Sequence, residues 1–278
     1  MGPVAQKVEH RTFNPGVVGS IPTRLIFIMK LSGKVALIGG STKGIGRAIA
    51  KRFSHEGARV VINGRDEASA EEVLRELKGE GVFIKADLTK YDDVKRMVDE
   101  AVGRFGRLDI VVANGASDYP PAKFFHEIEP SLYPDYILTR LFTRLYMIRS
   151  SLDYLKGGGK IIIITTDAGR TPTPGESMIG ACGSALVMLT KVLAREFSRW
   201  KIYVNTICLT VTANTPGFER ALKYDSTGKI FKRASERTPF WPIYPEDVAE
   251  LALFLASSSS DKITGQIFSI NGGLSFPG

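Results

Sequence analysis

The sequence predicts a single-domain, doubly wound α/β fold around a parallel seven-stranded sheet, and three observations carry that expectation. From Lys30 onward, short apolar runs rich in β-branched residues alternate with amphipathic stretches of helical period. The runs are apolar on both faces, as strands covered by helices on either side must be. A glycine-rich turn follows the first run, and in such folds the ligand lies beyond the carboxyl ends of the strands.

The first strand is expected in KVALIG (34–39), followed by the turn and a helix over GRAIAKRFSHEG (46–57). ARVVING (58–64) is the second strand, and ASAEEVLRELKGEG (68–81) a helix with apolar residues at helical spacing. VFIKAD (82–87), DIVVAN (109–114), KIIIIT (160–165) and KIYVNTI (201–207) follow, each preceded by a helical segment, and QIFSING (266–272) closes the series. Strands joined through helices imply right-handed crossovers. No Pro/Gly/Ser linker or internal repeat divides the chain, and SSSS (257–260) reads as a loop after a helix.

The chain has 278 residues and is 44% apolar, enough for one large domain with a filled core. Its net charge of +8 is spread among mixed signs, which suits solubility rather than a nucleic-acid footprint. Cys182 and Cys208 lie in apolar surroundings without metal-ligand spacing and read as buried free thiols of a reducing cytoplasm. His10, His55 and His126 are scattered, so no metal site is expected. LIFIM (25–29) is too short to span a bilayer, and no signal-peptide pattern surrounds it, so a cytoplasmic protein without membrane association is expected.

Residues 1–28 have no apolar periodicity. VVGSIPTR (17–24) back-translates to a TTCGATT loop between GTGGG and CCCAC, the T-arm of a transfer RNA, and GPVAQ (2–6) to the GCTCAG of a D-arm. The segment is expected to be a translated transfer-RNA gene, or else an ordinary disordered extension, with the domain in 29–278.

GSTKGIG (40–46) places Gly40, Thr42, Lys43, Gly44, Ile45 and Gly46 between a strand and a helix. Glycines there let the backbone approach a pyrophosphate, and the helix N-terminus offers N–H groups and a favourable dipole. The G-xxx-G-x-G spacing resembles the short-chain dehydrogenase/reductases, a Rossmann-fold family, over nearly all of 30–278. Asp87 in KADL falls at the family's strand-three aspartate, which contacts the adenine, with Leu88 beside it. Asn114–Gly115 falls in the Asn-Asn-Ala-Gly segment after strand four, with Ala113 at the first Asn and Gly115–Ala116 inverted. PEDVAELALFLAS and ITGQIFSINGG, within 245–273, are similar to the family's carboxyl-terminal signature.

A ribose 2′-OH prefers a carboxylate after strand two, whereas a 2′-phosphate needs cations. Strand two here ends Asn63, Gly64, Arg65, with no acid until Asp66, and Lys43 sits inside the turn. With the resemblance, these bases imply NADP(H) over NAD(H); the bland alternative is two solvated surface charges.

The resemblance also implies a catalytic set of Tyr, Lys, Ser and Asn, and most of it is replaced. Thr166 falls at the Ser position and keeps a hydroxyl. Ile179 and Gly183 stand at the Tyr and Lys positions, Arg140 at the Asn position give or take one residue, and Leu209–Thr210 replaces a Pro-Gly. Two other Tyr-xxx-Lys strings exist. Tyr91…Lys95 begins the helix after strand three and reads as surface; Tyr119…Lys123 contains two prolines and is not one helical turn, although Tyr119 borders the expected cleft. Asp167 and Arg140 read either as substrate ligands or as plain loop and surface residues. Losing a positioned general acid costs ~10²–10⁴-fold, while holding the reactants together still accelerates the reaction.

The small residues of IGACGSA (179–185) leave room for another helix to pack closely. The resemblance makes this the subunit contact of a homotetramer, or of a hetero-oligomer with a paralogue. The favoured reading is an NADP(H)-dependent oxidoreductase similar to 3-oxoacyl carrier-protein reductases, acting on a small-molecule carbonyl or alcohol at a site centred on Thr166. The alternative is a catalytically degenerate subunit paired with an active paralogue. A lyase or isomerase has no residue in its favour. The cleft wall is expected in 117–130 and 212–241; the Lys and Arg residues of the second segment either meet the phosphate of an acyl-CoA or acyl-carrier-protein thioester or belong to a solvated helix.

Overall fold

The computed structural model describes residues 29–115, 120–223 and 225–277; residues 1–28, and with them the transfer-RNA reading, lie outside the described residues. In chain order the elements are β1 (Val35–Ile38), α1 (Gly44–His55), β2 (Arg59–Gly64), α2 (Glu67–Glu76), β3 (Gly81–Lys85), α3 (Tyr91–Phe105) and β4 (Ile110–Ala113). There follow α4 (Tyr133–Ile137), a π-helical turn (Leu138–Phe142), α5 (Thr143–Leu155), β5 (Lys160–Thr166), α6 (Ser177–Phe197) and β6 (Tyr203–Leu209). The last are α7 (Pro216–Ala221), α8 (Asp225–Arg237), α9 (Pro245–Ala256) and β7 (Ile267–Ile270).

All seven strands pair in parallel in the order β3-β2-β1-β4-β5-β6-β7. Strand residues alternate between two cores. Val35 and Leu37 of β1 and Ile161 and Ile163 of β5 face α3, α5 and α6, where Val94, Met97, Met147 and Leu186 meet them. Ala36, Ile38, Ile162 and Ile164 face α1, α2 and α9, against Ile49, Phe53, Val73 and Val248. Each large side chain so buried contributes about 1.5–3 kcal/mol. The β-branched runs therefore explain both the strands and the burial of the sheet on both faces.

The strand order reverses between β1 and β4, so the loops after their carboxyl ends diverge and open a crevice. The chain from β4 to β5 passes through α4, the π-turn and α5 as a nearly continuous helix. A π-turn widens the helical register locally, and it sets Arg140 within the turn and Arg144 one turn later, both toward the crevice.

Candidate active site

The turn after β1 is built on glycines because nothing larger fits. Gly40 and Gly44 have φ of +58° and +52°, a region that favours glycine. A Cβ on Gly46 would lie 2.4 Å from the Gly40 carbonyl oxygen, and one on Gly40 would lie 2.9 Å from Gly115 Cα. Asn114 Nδ2 donates to Gly39 O at 2.9 Å, joining the turn to the end of β4. Asn63 is fully occupied in the scaffold: it accepts from Gly40 N–H at 3.2 Å and donates to Ile84 O and Ala86 O. Such a cradle, ending on the uncapped N-terminus of α1, fits a dinucleotide pyrophosphate.

The other residues expected to hold a cofactor stand along the same edge. Lys43 and Arg65 are exposed beside Thr42, which is buried and would collide with any side chain at Gly64. Asp87 follows the end of β3. Burial pushes its carboxyl up, but the Thr89 hydroxyl and N–H, at 2.7 and 3.0 Å, outweigh that and hold it below the usual carboxylate range, with help from Lys90 and Arg65. Leu88 packs against Gly115, whose φ is +120°.

Beyond the turn lies a cavity of about 270 Å³ lined by Ile45, Asn114, Thr166, Ile179, Gly183 and Thr210, among others. Thr166 ends β5, and its Oγ1 accepts the Ala168 N–H at 3.1 Å. A second cavity of about 410 Å³ adjoins it, walled by Pro172, Pro174, Ile230, Arg233 and Arg237. Thr166, Glu176, Leu209, Thr210, Val211 and Phe231 line both.

Arg140 and Arg144, one turn apart on the helix between β4 and β5, meet Glu176 from the start of α6 at the first cavity. Arg144 is buried and donates Nη1 to Gly115 O at 2.9 Å, Thr139 O at 3.0 Å and Thr143 Oγ1 at 3.0 Å. Burial, and then the charge of Arg140, lower its pKa to about 10, so it remains a cation at neutral pH. Arg140 donates Nη2 to Pro120 O at 2.7 Å, while its buried Nε has no partner among the described residues; burial lowers its pKa against the field of Glu176. Glu176, at the N-cap of α6, has its carboxyl pushed above the ordinary range by burial, opposed by Arg140 and by the Thr166 hydroxyl, which is in hydrogen-bonding reach. Sequence reading singled out Arg140 but missed Arg144 and Glu176.

Several further expectations are resolved by the packing. Asp167 is not a cavity ligand in waiting: its buried carboxylate accepts from Arg170 Nη2 at 3.1 Å, Ser269 Oγ at 2.6 Å and Asn271 Nδ2 at 2.8 Å. The small residues of α6 serve partly within the chain. A Cβ on Gly180 would lie 2.7 Å from Ala168 O, one on Gly183 would lie 2.9 Å from Thr166 Cγ2 and 3.1 Å from Gly169 Cα, and Ser184 Oγ donates to Gly169 O at 2.6 Å. Tyr91 and Lys95 are away from both cavities; Lys95 pairs with Asp99. Tyr119 lies outside the described residues. Cys182 and Cys208 are buried free thiols, and no group of metal-ligating side chains occurs among the described residues.

A family model described as enoyl-(acyl carrier protein) reductase matches residues 40–275. A hydroxynaphthalene reductase of Aspergillus fumigatus is 31% identical over 256 residues, covering 87% of this chain and 92% of the relative. The chain belongs to the short-chain dehydrogenase/reductase family. Dehydrogenase/reductase SDR family member 4 of Homo sapiens is also 31% identical, over 248 residues that cover 87% of this chain and 88% of that one. The crystal structure of a dehydrogenase/reductase from Sinorhizobium meliloti superposes with a TM-score of 0.81 at 29% identity, covering 90% of this short-chain dehydrogenase/reductase and 98% of its neighbour. Membership brings oxidoreductase chemistry with a nicotinamide cofactor and agrees with the glycine cradle.

Proposed function

We propose that this short-chain dehydrogenase/reductase is an NADP(H)-dependent oxidoreductase that interconverts a small-molecule carbonyl and its alcohol at a non-standard site centred on Thr166. The observation that carries this reading is the continuity between the glycine cradle and the cavity: Ile45 and Asn114 belong to the one and line the other with Thr166. A bound nicotinamide dinucleotide would supply or accept the hydride. Gly40, Gly44 and Gly46 would hold its pyrophosphate, Asp87 and Leu88 its adenine end, and Lys43 and Arg65 a 2′-phosphate. The Thr166 hydroxyl, at the end of β5, is offered to the substrate oxygen. Arg233 and Arg237 in the second cavity favour an anionic tail on the substrate, such as an acyl-CoA or acyl-carrier-protein thioester. A cytoplasmic setting is part of the proposal.

Titration with NADPH and NADH, followed by nicotinamide fluorescence, tests the cofactor. Replacing Lys43 and Arg65 together by Ala removes two charge-assisted contacts, each worth about 1.5–3 kcal/mol where formed. NADPH binding should weaken by at least ~10-fold while NADH binding is unchanged. Equal loss for both cofactors would overturn the 2′-phosphate assignment.

Ile179 and Gly183 in the cavity wall, where the family resemblance puts Tyr and Lys, favour a second reading, a degenerate subunit assembled with an active paralogue. Retention of NADPH binding without turnover of any carbonyl by the isolated chain would support it.

A further inference from the structure

The described residues lining the first cavity include no Tyr, Lys or His, and Glu176 is their only carboxylate. Apart from the arginines and the far weaker threonine hydroxyls, Cys182 is the other acid there, and burial pushes its thiol up. Among the described residues of the adjoining cavity the only further carboxylate is Asp167, held by Arg170, Ser269 and Asn271. A reductase needs a proton for the oxygen of its product, and among the described residues the composition of the wall favours Glu176.

Glu176 is held where such a group would have to be. It follows Gly175, whose φ of +84° turns the chain into α6. Its backbone forms a parallel bridge with Lys123 of the loop after β4, and its N–H donates to Thr173 O at 3.1 Å. The side chain lines both cavities beside Thr166, whose Oγ1 already accepts the Ala168 N–H, leaving the hydroxyl hydrogen to point elsewhere. Arg140 lines the same cavity.

We infer that Glu176 is the proton donor of this site, delivering its carboxyl proton to the substrate carbonyl oxygen while Thr166 holds that oxygen and Arg140 faces the carboxylate left behind. The inference rests on the oxidoreductase reading above. In the step, the Glu176 O–H bond breaks as the alcohol O–H forms. A bound reduced nicotinamide dinucleotide would supply the hydride to the carbonyl carbon, whose double bond to oxygen would become single. Solvent returns the proton to the carboxylate; the reverse reaction uses that carboxylate as base.

Burial holds the carboxyl protonated above the pH at which exposed glutamates ionise, against Arg140 and the Thr166 hydroxyl. The other charged or titratable groups around the two cavities are Arg144 from α5, Cys182 from α6, Arg220 from α7, Arg233 and Arg237 from α8, and Asp167 after β5. They are mostly cations, which keep the carboxylate accessible once the proton has left. Reduction should therefore be flat at low pH and decline as pH rises through the Glu176 titration.

The test combines infrared spectroscopy of the cofactor-free full chain with kinetics of Glu176→Gln, Glu176→Asp and Tyr119→Phe on a panel of ketones with NADPH. A protonated-carboxyl band that persists above the pH at which exposed glutamates ionise and disappears in Glu176→Gln is expected, as is a fall of ~10²–10⁴-fold in reduction rate with NADPH binding unchanged and the alkaline decline lost. Partial activity is expected in Glu176→Asp. Absence of the band, wild-type rates and pH profile in Glu176→Gln, or loss of rate in Tyr119→Phe alone would overturn the proposal. Failure of the wild type to bind NADPH while the band is present would overturn the oxidoreductase reading instead, and with it the step, though not the neutral carboxyl.

Discussion

Moving the Glu176 carboxylate out of water costs more than Arg140 and Thr166 return, so the folded chain binds its proton more tightly than the unfolded chain does. Stability then falls as pH rises from the ordinary glutamate value of 4.5 toward the raised folded value. Glu176→Gln removes that slope. Urea unfolding at several pH values should show the variant gaining on the wild type as pH rises through that window; parallel curves would argue that the carboxyl is solvated. Asp167 is held by its partners. Asp167→Ala strands the buried Arg170 guanidinium, and removing one partner of a buried pair costs about 3–5 kcal/mol. Calorimetry should show a clearly lower Tm, and an unchanged Tm would mean that Ser269 and Asn271 suffice. These two acids also show what a sequence hides. Asp167 is adjacent to Thr166 and invites a catalytic role, yet its ligands come from residues 269–275. Glu176 sits in TPTPGE, a proline-rich stretch without periodicity, and meets Arg140 and Thr166 only through tertiary packing, its backbone bridged to Lys123 of the loop after β4.

At the scale of elements, the strands and the glycine turn were legible because their causes are local. Alternation of Val, Ile and Ala in β1 and β5 reports burial on both faces, and the spacing of Gly40, Gly44 and Gly46 reports a turn that tolerates no Cβ. The helix between β4 and β5 was less legible. RLFTRLYMIR reads as an amphipathic helix with a basic face, and nothing in it announces a π-turn or the carbonyls of Gly115, Thr139 and Ile164 that satisfy Arg144. The small residues of α6 were legible as small, but not as seats for the 167–169 turn. That packing bears on repair of the site. A side chain at Gly183 meets Thr166 Cγ2 and the Gly169 backbone, so a lysine there requires the turn itself to move.

Assembly belongs to the whole molecule. α6 continues into a helical stretch, Ser177–Trp200, that is apolar and long enough to cross a membrane by composition, with one third of it buried in the chain. Leu186, Ala194 and Phe197 are among the residues of its buried side. Met188 is 61% and Val192 41% exposed, one turn apart on the same helix. A face of this kind is suited to another helix pair, in a second copy or in a paralogue. Sedimentation should give a species larger than a monomer, and Met188→Glu with Val192→Glu should dissociate it while leaving NADPH binding intact. A wild-type monomer would remove the subunit-contact proposal.

The wall shared by the two cavities has one further consequence. Glu176 is among the residues that line both chambers. A substrate seated beside Thr166 shuts out water on its own side only. For a substrate short enough to leave the chamber of Arg233 and Arg237 open, a donor that borders both chambers could be recharged from the rear while the product still occupies the front.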